Sequence, residues 1–464
     1  MVLADLKSAH GLKNRKKKLN FVASIKLESL MKHIIGIRHE DKYVMERRVA
    51  LIPNHISQLV KENIGFEVQK SAKRIFRDDE FEQAGVRLID KIEQADVIFG
   101  VKEMPADFFE EGKTYVFFSH VIKGQSYNMP MLKALMAKKC QLIDYEKITN
   151  EDGKRLIFFG RFAGLAGMIN SLWSLGQRLS VKGIKTPFAQ LKQSHLYNSL
   201  HEAMNAVSEV GLQIAKVGLP DEVGPVVIGF TGYGNVSKGA QEIADLLPSI
   251  AITPAQLLTI DFENAPKTLI YKVIFKEKHI SEPIDSSQHF ELSHYYKHPE
   301  AYKNSFEKYM PKLSVLMNCM YWDDRYPRIV TKDFLEKLFA SDEPKLQVIG
   351  DVTCDPDGSI ECTHKGTEIE DPVFVYNPIR RNYKMGFEGD GILVMAVDIL
   401  PSELPRESSE AFSNALFPFV KAVAETDFNA EFDTLTLPAP LKRAMIVHQG
   451  ALTPDYRYIK EYLD

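Results

Sequence analysis

The sequence predicts an α/β protein of two domains, each built on a mainly parallel sheet. Three observations predict it. Between His33 and Leu179 short apolar runs alternate with helical stretches, the pattern of βαβ units. From Gly224 a strand, a glycine turn and a helix, GPVVIGFTGYGNVSKGAQEIADLLP, open a second such series. The chain has 464 residues, more than a single hydrophobic core usually supports.

Composition narrows the class. With 45% hydrophobic and 26% charged residues the chain is ordinary globular protein. A net charge of −4 gives no general attraction to nucleic acid or to an anionic membrane. No apolar run approaches the roughly 18 residues that span a bilayer. Cys140, Cys319, Cys354 and Cys362 form no CxxC pair and no zinc-type spacing with histidine, so reduced thiols, no metal and a cytoplasmic location are expected. Residues 1–31 carry the basic cluster Arg15 to Lys18 without a long apolar core. They read as a disordered extension, as a targeting segment that would place the chain in the mitochondrial matrix, or as translation from a start upstream of Met31, which stands directly before the first strand.

In order, His33–Ile37 is a strand ending at Arg38, and ERRVALIP leads into a helix from Asn54 to Lys61. Phe66–Gln69 is a strand and Asp78–Ala84 a short helix. Val97–Val101 and Thr114–Ser119 are apolar strands, followed by a helix at Met129–Lys138, a strand at Gln141–Asp144 and a further strand at Arg155–Phe159. GRFAGLAGMINSLWSLGQRL begins a long apolar helix. Its small residues Gly160, Ala163, Gly164, Ala166 and Gly167 permit close approach, either of a ligand or of another helix. A polar connector and an amphipathic helix at Leu200–Val217 lead to the second domain.

The chemistry concentrates after the two central strands of the first half. The first delivers Lys102 and the second His120 and Lys123. If the strands are parallel neighbours they lie about 4.8 Å apart, and open α/β sheets bind ligands at that edge. Lysine and histidine there suit proton transfer at a carbonyl or imine carbon; the other reading is two solvated loop residues. Arg38, Arg48, Arg155 and Arg161 add cations, and a guanidinium matches a carboxylate in a two-point fork, so the edge suits an acidic substrate.

In the second half, Val226–Phe230 is a strand, Thr231–Asn235 the glycine turn and Val236–Leu247 a helix. Gly232 and Gly234 have G-x-G spacing, followed by Asn235 and Val236, with Ser237 where a dinucleotide fingerprint has its third glycine. Such glycines let a backbone approach a pyrophosphate at the helix N-terminus. The next strand, Ile250–Ile252, ends at Thr253-Pro254 without the acid that would bind a free ribose 2′-hydroxyl, which points to NADPH over NADH. His294 and His298 lie four residues apart with no acidic third ligand, and read as packing. Asp351 follows the strand Leu346–Ile349 and serves either the ligand site or a turn. A strand, a proline-rich loop, a helix and a short strand and helix from Leu441 close the chain.

With these residues assembled, the chain resembles the lysine–ketoglutarate reductase half of aminoadipic semialdehyde synthase, a relative of saccharopine dehydrogenase and more distantly of alanine dehydrogenase and transhydrogenase. The strings that carry the resemblance are IGIRHE, ERRVALIP, GVKEMP, FFSHVIK, LIDYEK, FGRFAGLAGMIN, FTGYGNVSKGAQ, DGSIECT, EGDGILVMAVDILPSELP and TPDYRYI. The resemblance implies two Rossmann-like doubly wound domains with the active site in the cleft between them, and a C-terminal segment that returns to the first. On this reading residues 32–164 with 376–464 hold the substrate and residues 165–375 the dinucleotide. It implies Lys102 and His120 as the acid/base pair and Arg48 and Arg155 at ligand carboxylates, with Arg38 and Lys123 in the same substrate set. Glu103 and Glu146 stand beside the pair, and Gly232 to Ser237 with Asp351 hold NADPH. The implied substrates are L-lysine and 2-oxoglutarate, and the implied partners a second copy or a separate saccharopine dehydrogenase. NAD-dependent oxidation of saccharopine or of a simpler amino acid is the nearest alternative, and a non-catalytic nucleotide-binding subunit is one of another class.

Overall fold

The computed structural model describes residues 33–341 and 344–463, so the expected extension 1–31 lies outside the described residues. Strands are numbered along the chain. In the first half they are β1 (His33–Ile37), β2 (Ile64–Gln69), β3 (Arg87–Ile89), β4 (Val97–Phe99), β5 (Thr114–Phe117) and β6 (Gln141–Asp144). The middle holds β7 (Val227–Thr231), β8 (Ser249–Ile252), β9 (Ile270–Phe275), a two-stranded pair β10 (Ser281–Pro283) and β11 (Tyr302–Asn304), then β12 (Val315–Asn318) and β13 (Val348–Asp351). The last are β14 (Val373–Asn377), β15 (Asn382–Met385), β16 (Ile392–Met395), β17 (Met445–His448) and β18 (Ala451–Leu452).

The chain divides into two compact units, one running to Phe158 and resuming at Ser409, the other spanning Phe159–Ser408. In the first, the sheet order is β18-β17-β6-β5-β4-β1-β2-β3, parallel from β6 to β3 and antiparallel where β17 joins β6. The runs VIF in β4 and TYVF in β5 are buried throughout, as expected of strands covered on both faces. Three helices connect them: α1 (Pro53–Lys61), α2 (Asp78–Gln83) and α3 (Met129–Ala137). Helix α1 starts at Pro53, where a missing N–H costs nothing, and buries Ile56 and Leu59. The C-terminal return is therefore an antiparallel edge added to a parallel sheet.

The second unit holds a sheet of order β15-β14-β16-β13-β12-β7-β9-β8, parallel from β16 to β8, with β14 and β15 antiparallel at one edge. Helix α4 (Gly160–Val181) is apolar nearly all round and mostly buried, which marks a central helix rather than a surface one. It packs on α6 (Asn235–Ala244), while α5 (Leu200–Val217) is amphipathic and begins at a Ser199 side-chain cap. The small residues of α4 serve this packing. A Cβ on Gly164 would stand 1.9 Å from the Val236 carbonyl oxygen, and one on Gly239 of α6 would stand 2.1 Å from the Arg161 carbonyl oxygen. Gly164→Ala must therefore push two backbones apart. It is expected to cost about 2 kcal/mol or more, read as a fall in the urea midpoint.

Three sequence expectations are corrected. Arg155–Phe159 is not a strand, because only Arg155 bridges, to Thr149, before the chain enters α4. The return to the first unit begins at Ser409, not at residue 376, because β16 hydrogen-bonds to β13 and β14 inside the second sheet; the first crossing comes at Phe159, not at residue 165, because α4 packs wholly in the second unit. The strand beside β7 is β9, not β8, which lies at the sheet edge.

Candidate active site

β4 and β5 are parallel neighbours, with Val97 opposite Thr114 and Phe99 opposite Val116. Their carboxyl ends hold Lys102, Glu103 and His120 at one edge of the sheet. His120 has φ +48°, the left-handed region that a residue with a Cβ enters at a cost and that clusters at functional sites. Its Nδ1 lies 2.8 Å from Glu103 Oε1, and the Asn128 side-chain amide donates to its carbonyl at 3.1 Å. The His120 side chain is 34% exposed and that of Glu103 7%.

Glu103 also accepts Lys42 Nζ at 2.7 Å. Burial alone would raise its pKa, but the hydrogen bonds and charges of His120 and Lys42 override that and bring it down to about 2. A carboxylate so acidic holds no proton at neutral pH, so Glu103 accepts from His120 Nδ1–H and Nε2 is the ring nitrogen left for chemistry. Lys102 Nζ lies 5.5 Å and Lys42 Nζ 5.4 Å from the Tyr43 ring centroid, so one aromatic ring gathers both ammonium groups.

Beneath the pair lies a buried acid, Glu40. Its Oε1 accepts the Val101 N–H at 2.7 Å and its Oε2 the Lys102 N–H at 2.9 Å. Burial first, and Glu46 second, raise its pKa to about 7 against those N–H groups and Arg38. Glu46 is ionised: burial would raise its pKa, but Arg48 and Lys102 lower it. At the end of β6, buried Asp144 accepts the N–H and hydroxyl of Ser119 and the Glu146 N–H; burial raises its pKa against Ser119, His120 and Arg155.

The expected site residues thus fall into groups. Lys102, Glu103 and His120 stand together. Arg48 is buried, with Nε and Nη2 on the two Glu46 oxygens at 2.8 and 2.6 Å, and so is tied to the Lys102 group through Glu46. Glu146 and Arg155 pair with each other near Asp144. Arg38 is not presented to a ligand: its guanidinium lies over Phe108 at 4.6 Å and donates to the His39 carbonyl and to Asp41. Arg161 belongs to the second unit, paired with Glu242. Lys123 is exposed, and its N–H donates to Gln125. Sequence reasoning missed Lys42, Glu40 and Asn128; the first two follow β1 directly within IRHEDK, an acid and base cluster just past a strand end.

In the second unit, β7 runs into Gly232, at φ +77°, where a Cβ would meet Met320 Cα at 3.3 Å. A Cβ on Gly234 would meet nothing within 4 Å, so the backbone is open before the start of α6 at Asn235 and Val236. This cradle fits a dinucleotide pyrophosphate. Ser237 is buried and accepts Gln241 Nε2 at 2.9 Å; close packing of α6 falls to Gly239 instead. Asp351 is buried and closed in by side chains. Its oxygens accept from Asn318, Thr353 and Thr363 at 2.9, 2.7 and 2.6 Å, and Asn318 Oδ1 accepts from Thr231, so it ties the ends of β7, β12 and β13.

Among the described residues no helix is long and apolar enough to cross a membrane, and no group of three or more His, Cys, Asp or Glu side chains could hold a metal ion.

The model of the alanine dehydrogenase/PNT N-terminal domain matches residues 36–166, and that of the C-terminal domain matches residues 300–455. The chain is 40% identical over 443 residues to the alpha-aminoadipic semialdehyde synthase of Arabidopsis thaliana, covering 92% of this chain and 41% of that protein. It is 34% identical over 444 residues to the mitochondrial alpha-aminoadipic semialdehyde synthase of Mus musculus, covering 93% of this chain and 48% of that protein. The chain thus spans about half or less of the length of these relatives. With the saccharopine dehydrogenase (NAD(+), L-lysine-forming) of Emericella nidulans it shares 28% identity over 401 residues, 83% of this chain and 90% of that protein. Among solved structures an L-alanine dehydrogenase has the same fold, with a TM-score of 0.61 at 16% identity over 93% of this chain and 100% of that one.

Proposed function

The chain belongs to the alanine dehydrogenase/PNT family, and from that premise we propose that it is a lysine–2-oxoglutarate reductase, condensing L-lysine with 2-oxoglutarate and reducing the imine to saccharopine with NADPH. The observation that carries the reading is the Lys42–Glu103–His120 chain beside Lys102. It is a proton-transfer device aimed by a fixed carboxylate, at a sheet edge with further cations.

The lysine ε-ammonium must lose a proton before its nitrogen attacks the ketone carbon, and His120 Nε2 takes it. The carbinolamine then loses water, and the Lys102 ammonium gives the departing hydroxyl its proton. Lys42 and Glu103 hold the imidazole in one tautomer through both transfers. Arg155, half-exposed beside Glu146, supplies a guanidinium for a carboxylate of a dicarboxylate substrate, while Arg48, buried on Glu46, acts behind Lys102 rather than at the ligand. NADPH, held by Gly232, Gly234 and the start of α6, would supply the hydride for the imine carbon.

The test is the fall of NADPH absorbance with purified protein, L-lysine and 2-oxoglutarate. Oxidation is expected only with both substrates present, and faster than with NADH. The similarity to the fungal NAD-dependent proteins over 90% of their length favours a second reading, oxidation of saccharopine. Absence of NADPH oxidation together with NAD reduction on adding saccharopine would select it. Silence in both directions would leave a nucleotide-binding subunit without catalysis.

A further inference from the structure

β9 lies beside β7. The residues that follow β9 therefore stand where the adenosine ribose of a dinucleotide comes to a sheet of this kind, and the missing acid at Thr253 loses its meaning. Those residues are Lys276, Glu277 and Lys278. The Gly232 N–H donates to the Phe275 carbonyl at 3.0 Å, tying the end of β9 to the glycine turn. Lys276 Nζ lies 5.6 Å from the ring centroid of Tyr233, the residue between the two glycines. Glu277 is held from the other side, its Oε1 accepting the phenols of Tyr233 at 3.2 Å and Tyr296 at 2.7 Å. Lys276 and Lys278 are exposed.

We propose that Lys276 and Lys278 recognise the 2′-phosphate of NADPH, and that Glu277, pinned by two phenols, does not take the ribose hydroxyls. This inference rests on the nucleotide-binding reading of the glycine turn. His279 reports the local field independently of any ligand. Its pKa is lowered by burial first, then by Lys278, Lys276 and Lys308, against a smaller opposing effect of Glu277. Ammonium groups thus outweigh the one carboxylate here, and that field favours a phosphate dianion which NADH lacks. An acid at this position would ordinarily select the free hydroxyl; here its flanking lysines and its phenol partners reverse the preference.

Direct titration of the full chain with NADPH and with NADH, followed by nicotinamide fluorescence and needing no turnover, tests it. The wild type is expected to bind NADPH at least about tenfold tighter than NADH, as charge-assisted contacts to a phosphate require, and 2′,5′-ADP should displace NADPH better than 5′-AMP. Lys276→Ala with Lys278→Ala should erase most of that ratio by weakening NADPH alone, while Glu277→Gln keeps it. Binding of both dinucleotides without discrimination, a ratio unmoved by the double substitution, or an NADH preference abolished by Glu277→Gln would overturn this inference alone. Binding of neither dinucleotide would remove the nucleotide reading with it.

Discussion

His120→Gln is expected to lower turnover with L-lysine and 2-oxoglutarate by about 10³-fold, within the range for loss of a positioned proton-transfer group, while NADPH still binds. The backbone at this residue sits at φ +48°, and the ring is fixed by a carboxylate whose pKa of about 2 makes it an acceptor at any working pH. Glutamine can keep a hydrogen bond to Glu103 but offers no basic ring nitrogen to take a proton. Lys102→Met should act with similar size, since it removes the ammonium and leaves the stem. Both residues lie in the unit that does not contain the glycine turn, which is why dinucleotide affinity should stay. Turnover unchanged in either variant would defeat the assignment of the pair. Glu103→Gln separates positioning from chemistry: the amide oxygen can still accept from Nδ1–H, so a smaller loss, about tenfold, is expected in kcat and little in KM.

Much of the first unit was legible because its strands are short and mainly apolar and several are followed by helices. β4 and β5 and the residues at their ends follow from local sequence, and the parallel pairing, a condition there, is met in the structure. What failed was long-range. β9 reads IYKVIF, with lysine inside an otherwise apolar run and charge on either side, so its place next to β7 was not visible from pattern. β3, which holds three residues, and β12, buried behind a His- and Tyr-rich segment, were missed for the same reason. The expected strand at Arg155–Phe159 has the right composition, but Phe158 is exposed and the chain turns into α4. In the site, Arg38 looked like its neighbours in sequence yet is buried over Phe108, and Asp351 is closed into a network of side chains from distant segments. Glu40 meets its N–H partners across 61 and 62 positions of chain, a distance that no local pattern encodes.

Glu40→Gln is expected to flatten the pH dependence of stability between about pH 5 and 8. The carboxyl is buried, its pKa raised from the ordinary 4.5 to about 7 by burial and then by the Glu46 charge. The folded protein therefore binds this proton more tightly than the unfolded chain does. Stability from the protonated group is fully present below pH 4.5 and is lost as pH rises through 7, by roughly 3 kcal/mol in all for a shift of this size. Gln removes the titration while its amide oxygen keeps one of the two N–H bonds, from Val101 or Lys102, so the variant should lose less stability than the wild type on going from pH 5 to pH 8. Urea midpoints of both proteins across that range measure it, and parallel curves would show that Glu40 does not titrate there. Both Glu40 oxygens accept fully from the Val101 and Lys102 N–H groups only when the carboxyl is ionised, so the loop that carries the proposed acid is anchored most firmly then. Turnover of the wild type should rise through the pH range in which stability falls, an opposition that Glu40→Gln should weaken.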